Sequence, residues 1–287
     1  MLSIVHTSAE VRLAVSEACA NDRRIGFVPT MGALHAGHVS LIERCRADGC
    51  FTIVSIYVNP TQFGPNEDFQ QYPRTLENDR AICEKAGVDL IFAPGHQEMY
   101  PPGDQTRVHP GSLANTLCGP FRPGHFEGVC TVVAKLFDIV QPDMAYFGQK
   151  DAQQALIIRR MARDLHQPVQ IVTCPLIRDS DGLALSSRNA RLSQDQRTQA
   201  AALYRSLCAG RDLLKSGESS LGKVIAQMRA VLAQAGIARV DYLSIVDPED
   251  LSTVAIPAKR VLIAGAVRIG EVRLIDNIVV DLRLVGS

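Results

Sequence analysis

The first 175 residues alternate between short apolar runs and longer amphipathic stretches. Apolar runs typical of buried strands cover 25–28, 51–58, 89–93, 144–147 and 169–172. Helical patterns alternate with these runs: one begins at Val39 and ends at Gly49, and others cover 75–86, 125–140 and 152–165. Strands separated by helices predict an α/β fold, a doubly wound parallel Rossmann-like sheet with right-handed crossovers.

The pattern changes near Pro175. Ser193 and Gln196 form a capping-box pattern before an amphipathic helix that ends at Gly217, and a second helical pattern ends at Gly236. Three consecutive strand-like runs follow, at 240–246, 261–267 and 272–282. Helices followed by consecutive strands predict a smaller α+β domain. We therefore predict a Rossmann-like domain over 1–176 and a smaller α+β C-terminal domain over 177–287, with 178–182 as a hinge-like turn.

Composition excludes several classes of partner. The chain has 287 residues, 30 basic and 30 acidic, so its charge gives no reason to expect a nucleic-acid groove or a membrane surface. We find no apolar run as long as a membrane span and no basic segment of a signal peptide at the N-terminus, so we expect a cytoplasmic protein. The eight cysteines include no Cys-x-x-Cys pair, which favours buried thiols in a reducing compartment.

The most informative polar segment is His35-Ala-Gly-His38. It follows the strand at 25–28 and a glycine-bearing turn, and it lies where a helix begins. The first turn of a helix has unpaired N–H groups and the positive end of the helix dipole, so it attracts anions. Two imidazoles three residues apart can face the same ligand. The segment predicts a phosphate site in which the histidines donate hydrogen bonds to oxygens that gain charge during phosphoryl transfer.

Other interpretations of the histidines have less support. Gly32 and Gly37 match the glycine spacing of a P-loop, but His38-Val39 stands where that motif has Lys-Ser/Thr. Gly-x-Gly-x-x-Gly, His-Glu-x-x-His and Gly-x-Ser-x-Gly are absent. The pair could hold a metal, but a closed metal site needs more ligands than the neighbouring sequence offers. A structural role is open for either histidine alone.

Two further polar segments end predicted strands. Asn59-Pro-Thr-Gln62 follows the second strand, and Gly148-Gln-Lys-Asp151 follows a later one. Ligands of parallel sheets bind at the carboxyl ends of strands, so these segments converge on the histidine pair. Ser186-Ser-Arg-Asn189, on a flexible stretch, offers two hydroxyls and a guanidinium for a triphosphate. Each segment alone has an ordinary alternative: surface amides, an exposed Lys150–Asp151 ion pair or a solvated turn.

These motifs together resemble the pantoate–β-alanine ligase family, in order along essentially the whole chain. The matching segments are 29–38, 58–63, Tyr72-Pro-Arg-Thr75, Arg122-Pro-Gly-His125, 147–154 and 181–189. His-x-Gly-His alone marks a wider nucleotidyltransferase superfamily. Gln-Lys-Asp-x-Gln-Gln and Leu-Ser-Ser-Arg-Asn narrow the resemblance to these ligases.

The resemblance implies an ATP-dependent ligase of pantothenate biosynthesis. The carboxylate of pantoate would attack the α-phosphorus of ATP, releasing pyrophosphate and leaving a pantoyl adenylate. The amine of β-alanine would then attack the adenylate, giving pantothenate and AMP. The alternatives are another nucleotidyltransferase of the superfamily, which keeps a nucleotide on its product, and a non-catalytic nucleotide-binding protein.

The resemblance also implies roles for individual residues. Those implied to be catalytic are His35, His38, Lys150 and Arg188. Those implied to line the ATP site are Met31, Gly32, Ala33, Leu34, His35, Ala36, Gly37, His38, Gly148, Gln149, Lys150, Asp151, Ile177, Leu185, Ser186, Ser187 and Arg188. Those implied to bind pantoate or β-alanine are Gln62 and Gln154, with Asn59, Tyr72, Arg122 and His125.

The resemblance further implies Mg²⁺, arriving with ATP, and a homodimer. Many relatives have two adjacent acids after the Tyr-Pro-Arg-Thr segment, whereas this chain has Asn78-Asp79. Asp79 is therefore the one metal neighbour that we expect. Cys118 stands where some relatives have Glu, and no catalytic role follows for it.

Overall fold

The computed structural model describes residues 2–65, 67–254 and 259–282. The chain divides into two compact units. The first comprises Met1–Ala114, Arg122–Gln149 and Gln154–Pro175, and the second comprises Asn115–Phe121, Lys150–Gln153 and Leu176–Ser287. Two short segments from the N-terminal part of the sequence thus group with the C-terminal unit.

The first unit is built on a parallel sheet. Over the described residues the sheet has six strands: β1 Ser3–Val5, β2 Ile25–Thr30, β3 Phe51–Ile56, β4 Leu90–Phe92, β5 Met144–Gly148 and β6 Gln170–Cys174. Their order is β1-β4-β3-β2-β5-β6, and each neighbouring pair is parallel. The central strands β2 and β3 are mostly apolar because both faces of the sheet are buried. The predicted doubly wound sheet is confirmed.

Helices connect these strands. They are α1 Ser8–Ala20, α2 Ala36–Ala47, α3 Leu76–Ala86, α4 His96–Met99, α5 His125–Val140 and α6 Ala152–Asp164. Helix α2 begins three residues before the predicted Val39, which puts His35 at its N-cap and His38 in its first turn. The prediction did not include β1 and α1, although α1 has a complete Thr7–Glu10 capping box.

The second unit packs two helices on an antiparallel sheet. Helices α7 Gln194–Lys215 and α8 Leu221–Gln234 precede strands β7 Arg239–Val246, β8 Arg260–Ile269 and β9 Val272–Asp281, in the order β7-β8-β9. Its core combines both layers, with fully buried Leu203, Leu207 and Met228. The predicted Ser193–Gln196 capping box and the three strands are confirmed.

The topology determines which predicted segments share an edge of the first sheet. Strands β3, β2 and β5 are neighbours and run in the same direction. The residues that follow them, 31–38, 57–62 and Gly148-Gln149, therefore lie at the same carboxyl edge of the sheet.

Candidate active site

The turn after β2 has a strained backbone. Thr30 Oγ1 donates to the Ser55 carbonyl at 2.7 Å and accepts the Gly32 N–H at 3.1 Å. Gly32 has φ +82°, and a Cβ there would lie 2.9 Å from an Asp79 carboxylate oxygen. Ala33 follows at φ +51°, a left-handed conformation that costs a residue with a Cβ about 1 kcal/mol. This strain requires support from the surrounding structure.

Asp79 on α3 supplies that support. Its carboxylate is fully buried and accepts the Ala33 N–H at 3.0 Å through Oδ2 and the Leu34 N–H at 2.8 Å through Oδ1. Thr75 Oγ1 donates to Oδ2 at 3.2 Å. We call these bonds from Asp79 to the Ala33 and Leu34 N–H groups the Asp79 clamp. Hydrogen bonds to a charged acceptor are stronger than neutral ones, so the clamp can hold the turn in its left-handed conformation.

The two histidines cap α2 reciprocally. His35 is the N-cap, and its Nδ1 accepts the Gly37 N–H at 3.1 Å. His38 Nδ1 accepts the His35 N–H at 3.3 Å. The ring centroids lie 4.1 Å apart with 40° between the ring planes. The arrangement is a capping box in which imidazoles stand where Ser/Thr and Glu/Gln are usual.

This cap determines the tautomer of each ring. A neutral imidazole that accepts at Nδ1 carries its proton on Nε2. Protonation of Nδ1 would turn that acceptor into a second donor and break the cap. Both His35 and His38 are therefore set as neutral rings with Nε2–H donors, at the positive end of a helix.

The segment after β3 is organised by a buried amide. Asn59 Oδ1 accepts from Tyr100 Oη at 2.9 Å and from Thr61 Oγ1 at 3.0 Å. Its Nδ2 therefore faces two acceptors, the Gln62 Oε1 and the Gly128 carbonyl, both at 3.1 Å. Burial raises the pKa of Tyr100, so its hydroxyl stays protonated as a donor. The Asn59 side chain is thus part of the scaffold of this segment.

Asn59 in turn orients Gln62. Because Gln62 Oε1 accepts from Asn59, its Nε2 points the other way, 3.1 Å from the Met31 thioether. A thioether is a weak acceptor. Gln62 is therefore presented as a donor, suited to a ligand oxygen.

Helix α5 packs closely on this segment. A Cβ on Gly128 would lie 2.3 Å from the Thr61 carbonyl oxygen and 2.6 Å from the Gln62 nitrogen. Only glycine permits this approach of the helix to the backbone at Pro60–Gln62. The position of Gln62 therefore depends on α5 as well as on β3.

Arg122 and His125 lie beside Gln62 in one network. Arg122 donates to both carboxylate oxygens of Glu67, at 2.7 and 2.6 Å, and lies 2.9 Å from His125 Nε2. His125 Nδ1 donates to the Gln62 carbonyl at 2.8 Å. Burial alone would raise the pKa of the Glu67 carboxyl, but the hydrogen bonds and charge of Arg122 outweigh it and hold the pKa below its ordinary value. Arg122 is thus an anchored cation.

The remaining candidates of the first unit have separate surroundings. Tyr72 is buried against Phe63, with ring centroids 5.9 Å apart, next to the Phe63–Phe69 pair. Gln154 is partly buried in the first turn of α6.

The second unit contains the predicted ATP residues Lys150, Asp151, Ile177 and those at 185–188. Lys150 Nζ lies 3.7 Å from Asp151 Oδ1, and the Lys150 carbonyl accepts from Asn277 Nδ2 at 3.0 Å. The Leu185 N–H donates to the Ile177 carbonyl at 3.1 Å, which closes a hairpin. Ser186 follows as the N-cap of the short helical turn Ser187–Arg191 and accepts the Arg188 N–H at 3.3 Å.

The sequence profile of the family described as Pantoate-beta-alanine ligase matches residues 3–279. The chain belongs to the pantoate–β-alanine ligase family. This confirms the predicted family and makes the chain an enzyme of the ligase class. A pantothenate synthetase of Moorella thermoacetica is 51% identical over 280 residues, 98% of this chain and 99% of that protein.

Solved structures agree with the family assignment and with the α/β fold. The pantothenate synthetase of Thermus thermophilus is 49% identical, with a TM-score of 0.90 over 96% of this chain and 98% of that one. A pantoate-beta-alanine ligase of Francisella tularensis, complexed with beta-gamma ATP and beta-alanine, is 35% identical, with a TM-score of 0.78 over 97% of each chain.

Asp79 does not fit the role of a resident metal ligand. Its carboxylate accepts the Ala33 N–H, the Leu34 N–H and the Thr75 hydroxyl, so three of its about four acceptor positions are already occupied. Within 2–65, 67–254 and 259–282, no group of three or more His, Cys, Asp or Glu side chains is arranged to hold a metal. The clamp, not metal binding, is what this geometry supports for Asp79.

Sequence reasoning missed the clamp and the Tyr100 contact. The sequence did indicate the clamp, because Asp79 lies on the same face of α3 as Leu76 and Cys83. A carboxylate buried on that face without a partner would be costly, so it needs hydrogen-bond donors. Nothing in the sequence indicated the contact of Tyr100 with Asn59, because the two residues are 41 positions apart.

Proposed function

We propose that this chain condenses pantoate with β-alanine to give pantothenate, through a pantoyl adenylate, with release of pyrophosphate and AMP. Its membership of the ligase family supports this activity. The Francisella relative, in complex with beta-gamma ATP and beta-alanine, supports ATP and β-alanine as two of the substrates.

In the first step, a carboxylate oxygen of pantoate attacks the α-phosphorus, and the bond to pyrophosphate breaks. We propose that His35 and His38 donate their Nε2 protons in hydrogen bonds to oxygens that gain negative charge in this transition state. Their cap prepares these donors before ATP arrives, so little reorganisation is needed during the reaction. Lys150 and Arg188 would add positive charge at the phosphates.

Binding of pantoate requires hydrogen-bond donors that contact its oxygens. Gln62 is oriented as a donor by Asn59, which supports its assignment to pantoate. We assign Gln154 to the same substrate and propose that Asn59 acts through Gln62 rather than touching the ligand. His125 supports the Gln62 backbone through its Nδ1–H, and Arg122 supplies positive charge nearby.

In the second step, the β-alanine amine attacks the acyl carbon of the adenylate and AMP leaves. The adenylate is prone to hydrolysis, so water has to be excluded while it waits for the amine. We propose that the 177–188 segment of the C-terminal domain contributes to this exclusion as a lid.

Three further features belong to the proposal. Mg²⁺ would enter as the complex of ATP, bound mainly by phosphate and water oxygens. The homodimer and the cytoplasmic location remain predictions from the resemblance and the sequence. Among the described helices, none has the length and apolar character to cross a membrane.

The observation that carries the proposal is the reciprocal Nδ1 cap of His35 and His38 at the start of α2, which assigns the proton of each neutral ring to Nε2, in a chain of this family. Product analysis tests it. Incubation with ATP, pantoate and β-alanine should yield AMP and pantothenate in equal amounts. A product that retains the nucleotide would favour another nucleotidyltransferase, and ATP binding without any AMP would favour a non-catalytic protein.

A further inference from the structure

Strand β9 contains two consecutive buried polar residues. Asp276 is 4% exposed and Asn277 is 5% exposed, in a strand otherwise rich in Leu, Ile and Val. Consecutive strand residues point to opposite faces, so each side chain has to find its own partners within the second unit. Those partners are the two segments of that unit to which the proposed function assigns ATP.

Asp276 holds the base of the 177–185 hairpin. Its carboxylate accepts both guanidinium branches of Arg178, at 2.6 and 2.8 Å. Arg178 also donates to the Gly182 carbonyl across the hairpin at 3.0 Å and lies over the Tyr204 ring at 3.7 Å. Arg178 and Ala184 pair as an isolated bridge. The hairpin that leads into Ser186 is thus fixed to β9 by a buried bidentate ion pair.

Asn277 holds the second segment. Its Nδ2 donates to the Lys150 carbonyl at 3.0 Å, and its own N–H donates to Asp276 Oδ1 at 2.7 Å. Its carbonyl accepts from Arg178 at 3.3 Å. The anchor of Lys150 and the anchor of the hairpin are therefore adjacent residues joined by a direct hydrogen bond.

A gain in folding stability alone does not account for Asp276 and Asn277 being buried in β9. A buried ion pair is commonly no more stabilising than apolar residues of the same size, because both charges lose their water. Burial raises the pKa of Asp276 despite the Arg178 charge beside it, as expected for a carboxylate that is costly to desolvate. What Asp276 and Asn277 supply that leucine or valine cannot is a fixed geometry between two distant segments of the sequence.

We propose that Asp276 and Asn277 are positioning residues of the adenylation step, holding Lys150 and the 177–188 segment in one fixed relation. The proposal rests on the proposed function, which assigns ATP to both segments. Misplacement of a phosphate-binding group by about 1 Å is enough to slow phosphoryl transfer.

Asn277→Leu is the sharpest test, because leucine keeps the branched shape of asparagine and removes the donor. We expect kcat/KM for ATP in pantoate-dependent ATP–pyrophosphate exchange to fall about tenfold, with KM for pantoate unchanged. In a Lys150→Ala background, Asn277→Leu should lower this kcat/KM less than about twofold, because no lysine side chain is left to misplace. Hydrogen exchange of a peptide covering 148–153 should accelerate in the Asn277→Leu protein.

The matched control is Asn21→Leu. Asn21 Nδ2 also donates to a backbone carbonyl, that of Glu17 at 2.7 Å, but at the exposed end of α1. Its exchange kinetics should equal those of the unaltered protein. Cooperative unfolding shows that the Asn277→Leu protein is folded. If it does not unfold cooperatively, Asn277→Ala replaces it in the comparison between the Lys150 and Lys150→Ala backgrounds.

Equal losses in the Lys150 and Lys150→Ala backgrounds, or unchanged kinetics in the Asn277 variant, would overturn the positioning role. Failure of the proposed function is distinguishable, because the unaltered protein would then show no pantoate-dependent exchange at all.

Discussion

At the residue scale, the reciprocal cap of His35 and His38 combines folding and chemistry in the same two rings. Each ring uses Nδ1 to accept a backbone N–H, His35 that of Gly37 and His38 that of the N-cap His35, and this bond places the proton on Nε2. A serine or glutamate would cap the helix as well but would offer no N–H donor to a phosphate. The two functions can therefore be separated by substitution.

His38→Gln separates them. Glutamine at this position of a capping box accepts the N-cap N–H, so the helix keeps its cap, while the imidazole Nε2–H is replaced by an amide N–H on a longer, flexible stem that is not preorganised at the ring position. We expect adenylate formation to slow about 10²- to 10³-fold, as for loss of one preorganised donor, with the melting temperature nearly unchanged. Single-turnover measurement of AMP-ester formation and thermal unfolding check both expectations.

The matched control for this substitution is His109→Gln. The His109 side chain is 83% exposed and pairs with Glu127 at the surface. Its rate should equal that of the unaltered protein. A His38→Gln rate within tenfold of normal would mean that the ring serves the helix cap and not the reaction.

At the scale of elements, the turn after β2 is held by a helix that follows it by more than 40 residues. Asp79 on α3 accepts two consecutive backbone N–H groups of the turn, at Ala33 and Leu34. The elements themselves were predictable, because each apolar period and each terminal glycine is local in sequence. The clamp was not, since it joins a loop to a helix across the fold.

Asp79→Asn tests the clamp against the alternative of a metal ligand. An amide presents one NH₂ group toward a backbone N–H, so at least one hydrogen bond is lost, at a cost of about 2 kcal/mol in the free energy of unfolding. We expect a higher KM for ATP, because the turn loses its fixed conformation. The Mg²⁺ concentration for half-maximal activity should stay the same.

Asp138→Asn is the control for charge removal, because Asp138 lies on the exposed side of α5. It should change neither stability nor the KM for ATP. If Asp79→Asn instead raised the Mg²⁺ requirement while stability stayed normal, metal coordination would replace the clamp as the role of Asp79.

At the scale of the whole molecule, the sequence predicted more of the architecture than of the connections within it. Alternating runs and capping signals sufficed for the parallel sheet, the small α+β region and the polar segments at strand ends. The grouping of 115–121 and 150–153 with the C-terminal unit had no local signal, because it depends on side chains such as Asn277 that lie far along the chain. What the sequence does show of such contacts is a polar residue within an apolar strand or helix face, such as Asp276 or Asp79.

The central claim is that the carboxylate of pantoate is activated on ATP before the amine takes part. Isotope exchange between pyrophosphate and ATP measures this directly, because exchange requires the reversible formation of the adenylate. The account predicts exchange that requires pantoate and proceeds without β-alanine. Exchange in the absence of pantoate, or exchange that begins only when β-alanine is added, would contradict it.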